Sequence, residues 1–165
     1  MKKKLEILNK IEDNTASILL IITSLLVFVQ VILRKGFNYS ISWSEEMSRM
    51  MIAWFIFIGS SMAVKEKAHV SMDVLAELLK GRVKIIIEIV VNIINIIFCI
   101  MIINAGIGMI KSAVEIGAMA TSIRIPLYIP YASVPVGISL MLLRYMVILI
   151  NRVKALLNFG KEVEQ

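Results

Sequence analysis

The sequence contains very few of the residues that usually form catalytic or metal sites. Its 165 residues include one cysteine, Cys99, and one histidine, His69. A single thiol cannot form an internal disulfide or a cysteine-based metal site, and one histidine cannot supply paired axial ligands to a haem. The sequence also contains no HExxH, GxSxG or P-loop string. We therefore predict that the chain is not an enzyme and has no cofactor of its own.

Charged residues are also missing from four long stretches of the chain. These stretches are residues 14–33, 50–64, 89–110 and 125–143. The chain is 59% hydrophobic, whereas soluble proteins average about 45–50% apolar residues. The hydrocarbon core of a bilayer is about 30 Å thick and is crossed by roughly 20 apolar helical residues. The sequence therefore predicts an all-α integral membrane protein.

We predict four transmembrane helices in a single domain comprising residues 1–165. Three of the uncharged stretches are long enough to cross the membrane, but the second has only 15 residues. The second helix must therefore begin among the charged residues that precede it. The predicted spans cover about residues 14–34, 43–64, 86–110 and 125–148.

The start of the second span is marked by a capping box, in which Ser42 and Glu45 would satisfy each other's backbone amides. A helix over residues 43–64 is about 33 Å long, which is enough to cross. It places Glu45, Glu46 and Arg49 in or just below the outer headgroup region.

Two interpretations of this charged helix start remain open. Glu45 and Arg49 are four residues apart with the acid first, which favours an ion pair within the helix. Alternatively, ionisable groups at membrane depth usually face protein or water, which favours a contact between Trp43, Glu46, Arg49 and a partner. A substrate or ion site is a third, weaker interpretation.

Small and polar residues within the spans predict contacts between helices. Gly59 and Ala63 form a small-xxx-small pair, which allows close helix approach in lipid. The asparagines of the third span need hydrogen-bond partners, and the prolines of the fourth should bend its start. The predicted packing positions are Gly59, Ala63, Asn92, Asn95, Pro130, Pro135 and Gly137.

The distribution of basic residues predicts the orientation of the chain. Thirteen of the 18 Lys and Arg residues lie in the two terminal tails and in the connection 65–88. Cytoplasmic segments contain the Lys and Arg excess, so both termini are expected in the cytoplasm. The net charge of +6 is thus explained without a nucleic-acid partner. Amphipathic interfacial helices are predicted over about 3–13, where a frayed tail is the alternative, and 71–80.

The uncharged spans also limit the function. A transporter that works alone needs a polar site near the middle of the bilayer, often between two related halves. None of the four uncharged stretches contains Asp, Glu, Lys, Arg or His, and the sequence shows no repeated half. We therefore predict an accessory helical subunit. A self-sufficient small transporter or channel, acting as a homo-oligomer, is the alternative.

Several motifs, in order along the chain, resemble a known family. They are Phe37-Asn38, Ser42-Trp43-Ser44-Glu45-Glu46-x-x-Arg49, Trp54, Gly59, His69-Val70-x-x-Asp73, Ile125-Pro126-Leu127-Tyr128, Tyr131, Pro135-Val136-Gly137 and Arg144. Over about residues 10–150 the chain is similar to the small membrane subunit, of the DctQ type, of tripartite ATP-independent periplasmic (TRAP) transporters.

The resemblance implies a non-catalytic scaffold subunit in the bacterial inner membrane. In that family the small subunit pairs with a large, elevator-type permease that holds sodium ions and substrate, and a periplasmic protein delivers the substrate. The expected substrates are organic anions such as sialic acid or C4-dicarboxylates. The implied partners are the large permease, the substrate-binding protein and membrane phospholipid. The candidate residues for the subunit interface or for lipid headgroups are Trp43, Glu45, Glu46, Arg49 and Trp54.

Overall fold

The computed structural model describes the backbone of residues 2–39, 41–78 and 82–161, and the side chains of residues 9–39, 41–64 and 83–157. Within these ranges the chain is helical, with one isolated antiparallel bridge between Met119 and Pro126. The helices are α1 (Lys2–Gly36), α2 (Ser42–Leu78), α3 (Arg82–Glu115), α4 (Tyr128–Tyr131) and α5 (Ser133–Lys161).

Four of the helical segments are long and apolar enough to cross a membrane. They are Asn9–Gly36, Ser42–Val64, Val83–Glu115 and Tyr128–Leu157. This confirms the predicted all-α membrane fold with four spans. The side of the membrane on which the termini lie stays a prediction.

The first two helices extend well beyond their spans. At 35 and 37 residues they are about 52 and 55 Å long. The predicted interfacial segment 3–13 is part of α1, because no proline or glycine interrupts the chain before Gly36. Residues 71–78 of the second predicted interfacial helix belong to α2, and 79–80 lie outside the described residues.

The long helices lie side by side in a row. α1 packs on α2, α2 packs on α5, and α5 packs on α3. The short helix α4 contacts α2, α3 and α5. Helix α1 begins and helix α5 ends at the same end of these helices, which we call the terminal end. The connections α1–α2 and α3–α4 lie at the opposite end, which we call the loop end.

The last span begins with an interruption at its prolines. α4 ends at Tyr131 and α5 begins at Ser133, and the Ser133 hydroxyl donates to the Pro130 carbonyl at 2.6 Å. Pro130 is buried in α4, whereas Pro135 lies in the first turn of α5. A proline is tolerated in a first turn because the N–H that it lacks has no partner within the helix there.

The connection between α3 and α4 is a compact, hydrogen-bonded turn. The Ala120 N–H donates to the Ile125 carbonyl at 2.8 Å, and two residues have positive φ, Gly117 at 60° and Arg124 at 54°. Such a φ is uncommon for a residue other than glycine. The fold of this turn points the Thr121 amide towards the start of α2.

Candidate functional site

A set of three hydrogen bonds at the loop end joins α2 to the α3–α4 turn. The Glu46 carboxylate accepts hydrogen bonds from the backbone N–H and the hydroxyl of Thr121 and from the backbone N–H of Ser122, each at 2.8 Å. Both carboxylate oxygens are therefore used. We call this group the loop-end contact. It gives Glu46 a role within the chain, while a contact between Glu46 and a partner stays a prediction.

One helical turn of α2 also contains an exposed ion pair. The Arg49 guanidinium donates to the Glu45 carboxylate, and the two side chains are 75% and 58% exposed. The i,i+4 spacing with the acid first brings the two groups onto one face of the helix. The pair neutralises both charges at the membrane boundary and leaves the arginine accessible.

The two tryptophans of α2 differ in their surroundings. Trp43 is half exposed and lies beside Gln30 at a groove of about 450 Å³ between α1 and α2, whose lining is otherwise almost entirely apolar. Trp54 is partly buried, whereas Ile52, two residues earlier on α2, is exposed. Whether either indole contacts a partner subunit or lipid stays a prediction.

A second polar group lies at the terminal end and was not predicted. The Arg144 guanidinium on α5 donates through Nε to the Ser61 hydroxyl of α2 at 2.8 Å. Its Nη2 donates to Asn9 Oδ1 of α1, also at 2.8 Å, and forms an ion pair with the Glu12 carboxylate. The side chains of Arg144 and Glu12 are 8% and 4% exposed. We call these four residues the terminal cluster.

A further ion pair joins α5 to α3 at the same end. Arg152 Nε lies 3.2 Å from Glu88 Oε2, and the Glu88 side chain is 6% exposed. Asn92, one turn along α3, is also buried, Asn95 is partly exposed, and Cys99 is fully buried. Asn92, one of the predicted packing positions, is therefore buried one turn from the α3–α5 ion pair.

Only some of the predicted small-residue positions are sites of close packing within the chain. A Cβ added at Gly137 would lie 2.5 Å from the Phe57 carbonyl oxygen, so α2 and α5 are in backbone contact there. A Cβ added at Gly106 would lie 3.1 Å from Pro135 Cδ, so α3 and α5 are also close there. A Cβ at Gly59 would meet no atom within 4 Å, and Ala63 is half-buried. Packing at Gly59 and Ala63 against another chain stays a prediction.

The terminal cluster could have been found from one sequence signal. Glu12 lies two residues before the first uncharged stretch, and Arg144 directly follows the last one. Antiparallel spans place these two positions at the same depth, where opposite charges can pair. Asn9 and Ser61 give no such signal, because a single polar residue in a helix has many possible partners.

The two polar groups have a common structural effect. The loop-end contact fixes the α3–α4 turn to α2, and the terminal cluster joins α1, α2 and α5. Among the described residues, no group of three or more His, Cys, Asp or Glu side chains could hold a metal ion. Polar contacts therefore join neighbouring elements at both the loop end and the terminal end.

Comparison with protein families gives one match that covers most of the chain. The family described as "Tripartite ATP-independent periplasmic transporters, DctQ component" matches residues 23–155. The matched segment runs from the middle of α1 to the last turns of α5 and includes most of the residues described above.

Three curated proteins are similar to parts of the chain. A putative TRAP transporter small permease protein of Haemophilus influenzae is 34% identical over 106 residues, 64% of this chain and 66% of that protein. The isethionate TRAP transporter permease protein DctMQ of Oleidesulfovibrio alaskensis is 26% identical over 127 residues, 77% and 20% of the two chains. The C4-dicarboxylate TRAP transporter small permease protein DctQ of Vibrio cholerae is 38% identical over 61 residues, 37% and 26%. The matched segments span less than two thirds of each relative's length.

Proposed function

Because the chain belongs to the family of DctQ components of tripartite ATP-independent periplasmic transporters, we propose that it is the non-catalytic scaffold subunit of a sodium-coupled importer of organic anions. In this role it stabilises a large permease subunit in the bacterial inner membrane. The sodium ions and the substrate bind to the large subunit, and a periplasmic substrate-binding protein delivers the substrate.

One structural observation favours a scaffold. Polar contacts join the helices at both ends. Thr121 donates to Glu46 at the loop end, and Arg144 pairs with Glu12 at the terminal end. Arg144 and Glu12 are buried, and buried charged groups are costly in a membrane unless they are paired. Their use in joining helices is consistent with a subunit that stays in one conformation while its partner moves.

The exposed part of α2 is the surface that we assign to partners. Arg49 is largely exposed although it is paired with Glu45, and Trp43, nearer the start of α2, is half exposed. An arginine offers several hydrogen-bond donors to a carboxylate or a phosphate, and tryptophan is enriched at membrane interfaces. These residues suit a contact with the large permease or with a phospholipid headgroup.

The transported solute is proposed only as a class. The names of two relatives include isethionate and C4-dicarboxylate, which are different organic anions. Because the scaffold subunit does not contact the solute in this proposal, its sequence says little about the choice. Carboxylates such as C4-dicarboxylates or sialic acid remain the leading substrates.

Reconstitution in liposomes tests the scaffold role. A large permease and a periplasmic binding protein of the same organism would be purified, and sodium-driven uptake would be measured with and without this chain. We expect uptake only when the large permease, the binding protein and this chain are all present. We also expect the chain alone to produce no flux. Sodium-driven flux through the isolated chain would favour the self-sufficient homo-oligomer instead.

A further inference from the structure

Helix α1 buries less of its span within the chain than the other spanning helices do. Its main packing partner is α2, and 11% of its most apolar stretch is buried, against 22% in each of the other three spans. Large apolar side chains such as Phe28 and Leu25 are 60% or more exposed. Apart from its packing on α2, α1 thus has few buried residues that could fix its position.

The terminal cluster supplies the contact between α1 and the last helix. Glu12 and Arg144 are 132 residues apart in sequence, and their ion pair is buried. Arg144 also donates to Asn9 of α1 and to Ser61 of α2, so a single guanidinium touches all three helices. The contact is specific, because a guanidinium presents its donors in a fixed planar arrangement.

Separation of α1 from the row would leave both charges without their partner. Removing one member of a buried ion pair is strongly unfavourable, since the remaining charge stays in an apolar environment. Lipid around α1 would offer no replacement for the lost ion pair. It would solvate the aliphatic side chains of α1 as well as the protein does, so these side chains do little to hold α1 in place. The ion pair thus decides where α1 lies, in a way that apolar packing does not.

We propose that Arg144 is a positioning residue that fixes α1 in the row through Glu12. When this ion pair is broken, α1 leaves its place beside α2 while α2, α5 and α3 stay together. The position of α1 has a consequence for the surface, because α1 forms one wall of the groove at Trp43 and of a second groove of about 660 Å³ near Phe55. This proposal goes beyond the scaffold role and does not depend on it.

Distances between spin labels in the purified full-length chain, in lipid nanodiscs, test the proposal. In a Cys99→Ala background, labels at Lys10→Cys and Lys154→Cys report the separation of α1 and α5. Labels at Val90→Cys and Lys154→Cys report the separation of α3 and α5. Lys10, Val90 and Lys154 are exposed, so the labels do not disturb buried contacts.

Charge reversal of Glu12 should displace α1 alone. We expect Glu12→Lys to broaden or shift the single narrow distribution of α1–α5 distances and to leave the distribution of α3–α5 distances unchanged. The matched control is Asp13→Lys, an equal change in charge at the next residue, which is less buried. This control should retain both distances.

Exchange of the two charges separates positioning from a general loss of stability. The double variant Glu12→Lys with Arg144→Glu restores opposite charges and should restore the narrow α1–α5 distance, although the bonds to Ser61 and Asn9 are lost. The proposal is wrong if Glu12→Lys leaves the α1–α5 distance unchanged, or if the exchange fails to restore it. If Glu12→Lys also alters the α3–α5 distance, the milder Glu12→Gln is judged by the same two distances.

Discussion

Glu46 on α2 accepts two hydrogen bonds from Thr121, one from the backbone N–H and one from the hydroxyl, both at 2.8 Å. The second carboxylate oxygen accepts the Ser122 N–H. We predict that Glu46→Gln lowers the thermal stability of the purified chain, because a glutamine has one acceptor oxygen and its amide group would face the Ser122 donor. Unfolding followed by circular dichroism in detergent measures the effect.

The control for that variant is the neighbouring residue. Glu45→Gln removes an exposed ion pair, and such pairs usually contribute little to stability. It should therefore change the unfolding temperature less than Glu46→Gln does. Equal effects of the two variants would show that the α3–α4 turn does not depend on the Glu46 carboxylate.

Two glycines should respond in opposite ways to the same substitution. Gly137→Ala would place its Cβ 2.5 Å from the Phe57 carbonyl oxygen, and such overpacking typically costs about 1–3 kcal/mol. Gly59→Ala adds a methyl group to open space and should change stability by no more than about 1 kcal/mol, in the stabilising direction. The free energy of unfolding in a mixed-micelle titration measures both. A harmless Gly137→Ala would contradict the close α2–α5 contact.

Charge reversal at Arg49 tests the assigned partner surface. Arg49→Glu places two acids four residues apart on α2 and removes an exposed guanidinium, so recovery of the large permease with the tagged chain should fall. Each kcal/mol lost from the interface corresponds to about a fivefold weaker association. Arg34→Glu makes the same charge change at the end of α1 and is the control. Unchanged recovery with Arg49→Glu would exclude Arg49 from the interface.

Labelling of single cysteines tests the orientation of the chain. In the Cys99→Ala background, Lys10→Cys and Lys154→Cys should be protected from a membrane-impermeant maleimide in intact spheroplasts. Lys35→Cys and Lys111→Cys should react, because the loop end is expected in the periplasm. All four positions are exposed in the chain itself. Reaction at Lys10→Cys in intact cells would reverse the predicted orientation.

Much of the fold was predictable because a bilayer imposes a simple rule on sequence. A helix that crosses hydrocarbon must be apolar over about 20 residues, so the uncharged stretches revealed four spans. The second helix begins at Ser42, close to the predicted start, but the Glu45 carboxylate pairs with Arg49 and does not form the predicted capping box. The family was also predicted correctly from the order and spacing of its motifs. These features depend on local sequence alone.

The order of the helices and the terminal cluster depend on more than local sequence. Gly59 and Gly137 look alike as small residues in apolar helices, yet only Gly137 contacts a neighbouring backbone within the chain. Likewise, Arg144 could have been a solvated residue of the basic tail. Its partners come from helices far away in sequence, so its burial follows from packing and not from its neighbours along the chain.

The arrangement of α1, α2, α5 and α3 as one layer has a consequence for permeation. A single layer of helices encloses no channel. A solute that moves along one face of these helices would therefore contact lipid or another protein on the side that faces away from them. Any aqueous passage lined by this chain must therefore be completed by a second polypeptide.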